Sequence, residues 1–405
     1  PQYINFPFMK RRFFTLLTTL TTIFVTAQEA DSLAIEKPTP PPALSAFAKK
    51  LNIDLFFRGG GVSDNYNDAS KNSTHFVIDN ARINLQGDFN DDLFYRVRFR
   101  PNRPFTETSQ DGGTTALDYA FITYRFGATR QWDVTVGKQL AAFGAFEKEI
   151  NPIYEYIFTD YLNGVYNNVF LSGLALGYKL NDRQKIGVQL HNTVNAKFAT
   201  HLKNNGFVAG DFTASKAPVG MYLYWNADLL DGKLKLRYSY NLSQYAANYL
   251  THSIALGNWY KSGKHTVYLD LSYTYMAADY GLTASKLLSA YDGLAKDNFL
   301  MQKDVVYKRA VSRYDYQLTD RWSLSAKVGI ELAGSTQRLS EQLRTNWIYF
   351  AAAQYAPIQG QDLRFYVAYV GNTLSYDKAL HLKDEQLHRI AIGAYYTLPI
   401  LKSSH

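Results

Sequence analysis

Phe94, Tyr95, Arg96, Val97, Arg98, Phe99 and Arg100 form the stretch that most constrains the fold. Side chains alternate between the two faces of a β-strand, so Arg96, Arg98 and Arg100 share one face. Tyr95, Val97 and Phe99 share the other. One such strand fits the edge of a soluble sheet, or the wall of a barrel with lipid outside and water inside. Recurrence decides between them. In 322–332, Trp322, Leu324, Ala326, Val328, Ile330 and Leu332 oppose Ser323, Ser325, Lys327, Gly329 and Glu331. In 233–240, Leu234, Leu236, Tyr238 and Tyr240 oppose Lys233, Lys235, Arg237 and Ser239. In 265–275, Val267, Leu269, Leu271, Tyr273 and Tyr275 oppose Tyr268, Asp270, Ser272 and Thr274. A polar face repeated across so many strands predicts an all-β, transmembrane antiparallel barrel with a wet interior.

Spacing predicts about 16 strands, near 52–60, 76–89, 92–101, 116–127, 131–140, 168–180, 184–194, 218–229, 233–242, 250–261, 264–278, 304–318, 321–333, 346–356, 362–375 and 386–400. Short connections carry turn residues, such as Asn90-Asp91, Asn181-Asp182-Arg183, Asp231-Gly232 and Ser262-Gly263. They interleave with long ones, among them 61–75, 141–167, 195–217 and 279–303. That alternation belongs to an even-stranded outer-membrane barrel with short periplasmic turns and long outer loops, and it puts both termini in the periplasm. The 32 Tyr and 25 Phe suit the aromatic girdles of such a barrel. A helix is conceivable within the outer loop at 285–300, where Leu287, Leu288, Leu294 and Leu300 recur.

Residues 1–27 read as an extension followed by a signal peptide. Lys10, Arg11 and Arg12 precede an apolar, Thr-rich stretch, and Val25-Thr26-Ala27 offers a cleavage site before Gln28. Pro1–Phe8 precede the start codon on this reading. Residues 28–51 follow as a periplasmic tether stiffened by Pro38, Pro40, Pro41 and Pro42, and 52–401 form the barrel. The chain has no Cys, which excludes disulfides, thiolate metal sites and cysteine nucleophiles. No metal, nucleotide or hydrolase motif is present, so no cofactor is expected. His191 is read as a lone polar residue of the interior. The excess of basic charge lies on alternating strand faces, not in one patch, which argues against nucleic acid.

Ala81-Arg82-Ile83-Asn84-Leu85-Gln86-Gly87, then Phe94–Arg100, resembles the second and third strands of the phosphate-selective porin O and P family. Asp118–Tyr124 resembles that family's next strand. Val134-Thr135-Val136-Gly137, followed by Phe143-Gly144 and Glu147, resembles its strand into the constriction loop. The resemblance spans about 81–147; beyond 168 it is one of pattern. Leu140 and Ala142 stand where the family often has Lys and Pro, and the chain lacks the usual terminal aromatic. The resemblance implies a sixteen-stranded, trimeric, anion-preferring pore in the outer membrane.

The interior basic residues supply the expected anion path: Arg58, Arg82, Arg96, Arg98, Arg100, Lys233, Lys235, Arg237 and Lys327. Rows of Arg and Lys lower the barrier for anions and raise it for cations. The alternative is a wall of salt bridges without net selectivity. The segment 141–167, with Phe143, Glu147, Lys148, Glu149 and Tyr154, is the expected constriction loop. Lys138 shares parity with the lipid-facing Val134 and Val136. Either a bulge near Gly137 turns it inward, or it sits above the apolar band. The reading is a porin for small anions such as phosphate, embedded in outer-membrane lipid as a homotrimer. The alternatives are a barrel enzyme of lipase or protease type and a structural or adhesive barrel.

Overall fold

A computed structural model describes residues 50–162 and 169–402. The expected signal peptide and most of the tether lie outside the described residues, as does the end of the 141–167 loop.

Sixteen antiparallel strands close into one barrel. They are β1 (Asn52–Tyr66), β2 (Ser73–Asp88), β3 (Leu93–Phe99), β4 (Leu117–Phe126), β5 (Trp132–Leu140), β6 (Phe170–Asn181), β7 (Gln184–Asn192) and β8 (Val219–Leu229). They continue as β9 (Leu234–Gln244), β10 (Leu250–Ser262), β11 (His265–Ala278), β12 (Lys303–Gln317), β13 (Trp322–Ser335), β14 (Arg344–Tyr355), β15 (Asp362–Tyr376) and β16 (Glu385–Leu401). Each strand pairs with its sequence neighbours, and β1 pairs with β16 to complete the ring. Full closure leaves no unpaired edge, which a hydrocarbon environment demands.

The sixteen strands match the spacing, with one displacement. β1 runs to Tyr66, six residues beyond the expected end, and the first outer connection shrinks to 67–72. Gly59-Gly60-Gly61 spans the expected boundary between that strand and the connection. It is instead part of the seam: a Cβ on Gly60 would stand 2.2 Å from the Ile392 carbonyl oxygen. Only a residue without a side chain lets β1 lie that close to β16.

The expected facing holds. Ile122, Val136, Val328, Val367 and Ile392 point outward and are about half exposed to what would be lipid. On the inward faces of β11, β13 and β14, Asp270, Thr274, Lys327 and Asn346 are buried. Aromatic pairs border the short turns on the outer face: Trp132 with Tyr178, Trp225 with Tyr238, and Trp322 with Tyr355, at centroid distances of 4.5, 5.6 and 4.9 Å. They form part of an interfacial girdle.

The opposite end carries the long loops, and these pack. The β7–β8 connection holds helix α1 (Phe198–Asn204), and the β11–β12 connection holds α2 (Thr283–Tyr291). Phe207–Val208 and Phe299–Leu300 join the two connections as a short parallel pair. Phe143, Tyr161, Phe198, Leu202, Tyr245, Met276 and Tyr280 belong to one apolar core beneath them. Buried Asp279 fixes the start of α2. It accepts from Leu282 N, from Ser285 N and Oγ, and from Tyr307 Oη.

Lys138 stays on its outward parity, because β5 pairs with β4 and β6 without a bulge. It sits near the outer rim, 4% exposed beneath the β3–β4 connection. Its Nζ lies 3.5 Å from Asp111 Oδ2, which also accepts from Ser172 Oγ.

Candidate functional site

Two walls of the interior differ in kind. The first is built by β2, β3 and β4. Arg82, Arg98 and Arg100 surround one carboxylate, Asp118, which is fully buried. Arg98 Nε donates to Asp118 Oδ2 at 3.0 Å, and Arg100 Nε lies 2.7 Å from Oδ1. Arg82 Nε stands 3.6 Å from Oδ2, too far for a hydrogen bond. Arg96 donates to Asn84 Oδ1 at 2.8 Å instead. The guanidiniums of Arg96 and Arg98 both lie 4.3 Å from the Tyr119 ring centre. Cation–π contact of this kind steadies Arg without neutralising it. Three guanidiniums thus share one carboxylate, with the fourth, Arg96, stacked beside them on Tyr119. Arg82 Nε and Nη1 have no hydrogen-bond partner among the described residues.

Strict alternation would place Asp118 on the outer face. It has the same parity as Ile122 and Tyr124, which face outward. The pairing explains the discrepancy. Arg98 opposes Tyr119 and Phe99 opposes Leu117, so Asp118 is the extra residue of a β-bulge and turns inward. A second bulge does the same on β2. Arg58 opposes Asn80 and Gly59 opposes Ile78, which frees Asp79 to accept from Arg58 Nε at 2.8 Å. Neither bulge is visible in an alternating pattern.

The second wall is covered by the loop that follows β5, which folds into the barrel as expected. Its backbone is held by acids on the strands. Phe146 N and Glu147 N donate to Asp270, while Asp160 N and Tyr161 N donate to Glu331. Its acids are held by bases on the strands. Glu147 pairs with Arg309 and with Lys327 Nζ at 2.6 Å. Glu155 pairs with Lys327 at 2.8 Å and Arg313 at 2.7 Å. Burial alone would raise the Glu147 carboxyl, but Lys327 and Arg309 outweigh it and hold the group at about 2. Tyr154 donates to Asp362 and packs on Tyr395, and Tyr156 packs on Phe350 and Tyr366.

This anchoring revises part of the expected anion path. Lys327 has a side-chain exposure of 0%, and its Nζ also donates to the Ile157 carbonyl oxygen. Arg58 Nη1 donates to the carbonyl oxygens of Ile153 and Glu155 at 2.9 and 2.6 Å. Both residues hold the loop and line no open path. Alternation put them inside; it did not show that the loop consumes them. Phe143 and Glu147 are likewise buried anchors, whereas Glu149 is exposed. Lys148 is partly exposed, with Nζ donating to the Ala141 carbonyl oxygen.

The remaining bases sit toward the short turns. Arg237 pairs with Asp228 at 2.8 Å and lies 3.3 Å from Glu149 of the loop. Lys235 lies over the Trp259 ring at 4.9 Å, and Lys233 is exposed in the β8–β9 turn. His191 is buried against Tyr222, with Nδ1 bonded to the Asn192 carbonyl oxygen and Nε2 accepting from Asn241. Among the described residues no cluster of His, Asp and Glu could hold a metal ion.

A closed sixteen-stranded barrel with an apolar exterior, an inward loop and a cationic wall defines an outer-membrane channel protein. The family model described as phosphate-selective porin O and P matches residues 50–398, and the chain belongs to that family. It is an outer-membrane porin that forms a diffusion channel. Solved structures agree in fold. The DcaP channel of Acinetobacter baumannii superposes with TM-score 0.60 at 12% identity, over 86% of this chain and 97% of that one. An anion-selective porin from Comamonas acidovorans gives 0.57 at 10%, over 86% and 99%. Salmonella typhi OmpF gives 0.55 at 14%, over 87% and 99%. No curated protein sequence matches the chain.

Proposed function

We propose that the pore prefers small anions, phosphate among them, and that the β2–β4 wall sets the preference. One observation carries this reading: Arg82, Arg98 and Arg100 are gathered around the carboxylate of Asp118, and Arg96 lies beside them on the Tyr119 ring. The loop's Glu147 and Glu155 are matched by Arg309, Arg313 and Lys327, so they do not cancel the opposite wall. Guanidinium forks fit phosphate and carboxylate oxygens, and Arg stays charged throughout the physiological range. Conduction also needs release, which a partly wet wall with one competing carboxylate permits.

Reversal potentials across a potassium chloride gradient test this. Chloride preference is expected in the intact channel, weakened in Arg98→Ala together with phosphate block of the chloride current. A cation preference in the intact channel overturns it. The same reading assembles the chain as a trimer with its termini on the short-turn, periplasmic side. Crosslinking in mild detergent should trap three chains. The Comamonas acidovorans neighbour is itself described as anion-selective, and a Vibrio cholerae OmpT structure as a trimer.

A further inference from the structure

A cavity of about 440 Å³ opens at the long-loop end between α2 and the β15–β16 connection. Its floor is apolar, from Leu287, Phe299, Leu374, Tyr376 and Leu382. Its charged lining is mostly cationic: Lys286, Arg344 and Lys383 against one carboxylate, Glu385. That carboxylate is already engaged, by Lys71 at 3.3 Å and by the Tyr376 hydroxyl at 3.2 Å. Arg344 is paired with Asp160 of the inward loop. Lys286 and Lys383 are exposed, and neither has a carboxylate within ion-pair distance among the described residues.

The pocket is preformed. Leu287 and Leu288 of α2 pack with Leu343 and Leu380 of the neighbouring connections, and Asp279 pins the first turn of the helix. A rigid pocket avoids the ordering cost of assembling a site around its ligand. Its volume lies within the range of small-molecule sites, which are mostly apolar with a few placed polar groups. An inorganic anion gains nothing from the floor, and a neutral apolar solute gains nothing from the two free ammonium groups. A molecule with both features uses both.

We propose that this pocket binds small amphipathic organic anions, an aryl or alkyl body carrying one oxyanion head, at the outer mouth of the channel. This goes beyond the anion preference of the β2–β4 wall and stands or falls separately from it.

Titration calorimetry of the detergent-solubilised protein tests it, with 4-phenylbutyrate as the probe. Acetate supplies the head alone, and 4-phenylbutanol supplies the body alone and reports partition into micelles. Saturable binding of 4-phenylbutyrate, at least about tenfold tighter than either control, is expected. Lys286→Glu combined with Lys383→Glu should weaken it by at least about tenfold, because both unpaired ammonium groups are replaced by carboxylates. Leu382→Asp should weaken it as well. Chloride preference in potassium chloride gradients should persist in these variants, which separates the mouth from the β2–β4 wall. Absence of saturable heat, equal binding of acetate, or unchanged affinity in the doubly substituted protein overturns the proposal. All three substituted side chains are exposed, so the heat-modifiable folded barrel should persist and can be checked on the same samples.

Discussion

Asp118 is the residue on which the cationic wall depends. It balances three guanidiniums, and its own side chain has no exposure to solvent. Removing one partner of a buried ion pair costs about 3–5 kcal/mol, because the other charge stays behind without compensation. Asp118→Asn keeps the shape and removes the charge. It should lower the urea midpoint of the folded barrel, by somewhat less than that figure because Arg100 keeps 21% exposure. It should also raise chloride preference. An unchanged midpoint would show that Asp118 is dispensable for the wall. Val97, one position from Arg98, tests the facing itself. It opposes Leu85 and Ala120 on the lipid side. Val97→Arg should reduce insertion into bilayers, at about 2–4 kcal/mol near the midplane and less toward the rim. Normal insertion, measured by heat-modifiable mobility after refolding, would mean that the two faces of β3 have been exchanged.

At the scale of elements, the inward loop and the β11–β13 wall form one ionic network. Lys327 bridges Glu147 and Glu155, so one side chain couples both arms of the loop. Lys327→Met fills similar space without charge. Glu147 keeps Arg309 and Glu155 keeps Arg313, so the cost falls near the lower end, at about 3 kcal/mol. A loosened loop should give larger and noisier single-channel currents. A trace identical to the parent would mean that packing by Tyr154 and Tyr156 suffices. Acid probes the same network. Folding lowers Glu147 from an ordinary 4.5 to about 2. Its contribution is therefore complete above pH 4.5 and fades as pH falls toward 2. The Glu147-dependent part of any conductance change, read as the difference from Glu147→Gln, should therefore set in only below about pH 4. A transition between pH 7 and 5 would point to a different group.

For the whole molecule, closure is the step that makes a membrane protein of these strands. It happens at the β1–β16 seam, where Gly60 meets Gly393. A Cβ on Gly60 would lie 2.2 Å from one backbone atom of β16 and 2.6 Å from another, and backbone cannot step aside as a flexible side chain can. Gly60→Val should therefore abolish the compact, heat-modifiable form. Gly61→Ala, whose Cβ meets only the Phe76 ring at 3.5 Å, should leave it intact. If both variants close normally, the seam is looser than its glycines indicate. The loop core built on α1 and α2 packs at the long-loop end, and the inward loop lies against the interior wall.

Alternation along each strand, with the spacing of the connections, was enough to determine the barrel, the number of its strands and the face of most side chains. Those properties follow from a two-residue period and from the exclusion of charge by lipid, both of which are local. The identity of the constriction loop was legible too, through the family resemblance that runs into it at 134–147; length alone does not single it out, since 195–217 and 279–303 are comparably long. What each inward charge does was decided only by tertiary structure. Arg58, Lys327 and Arg98 look alike in the sequence, yet two clamp a loop and one faces a bulged aspartate. A bulge inserts one residue and reverses a parity, so Asp118 and Asp79 were invisible to a count that assumes strict alternation. The partners of Glu147 come from strands more than 160 positions away. No local pattern encodes such a meeting. It arises because closing the barrel brings β12 and β13 into reach of a loop that left the wall at β5.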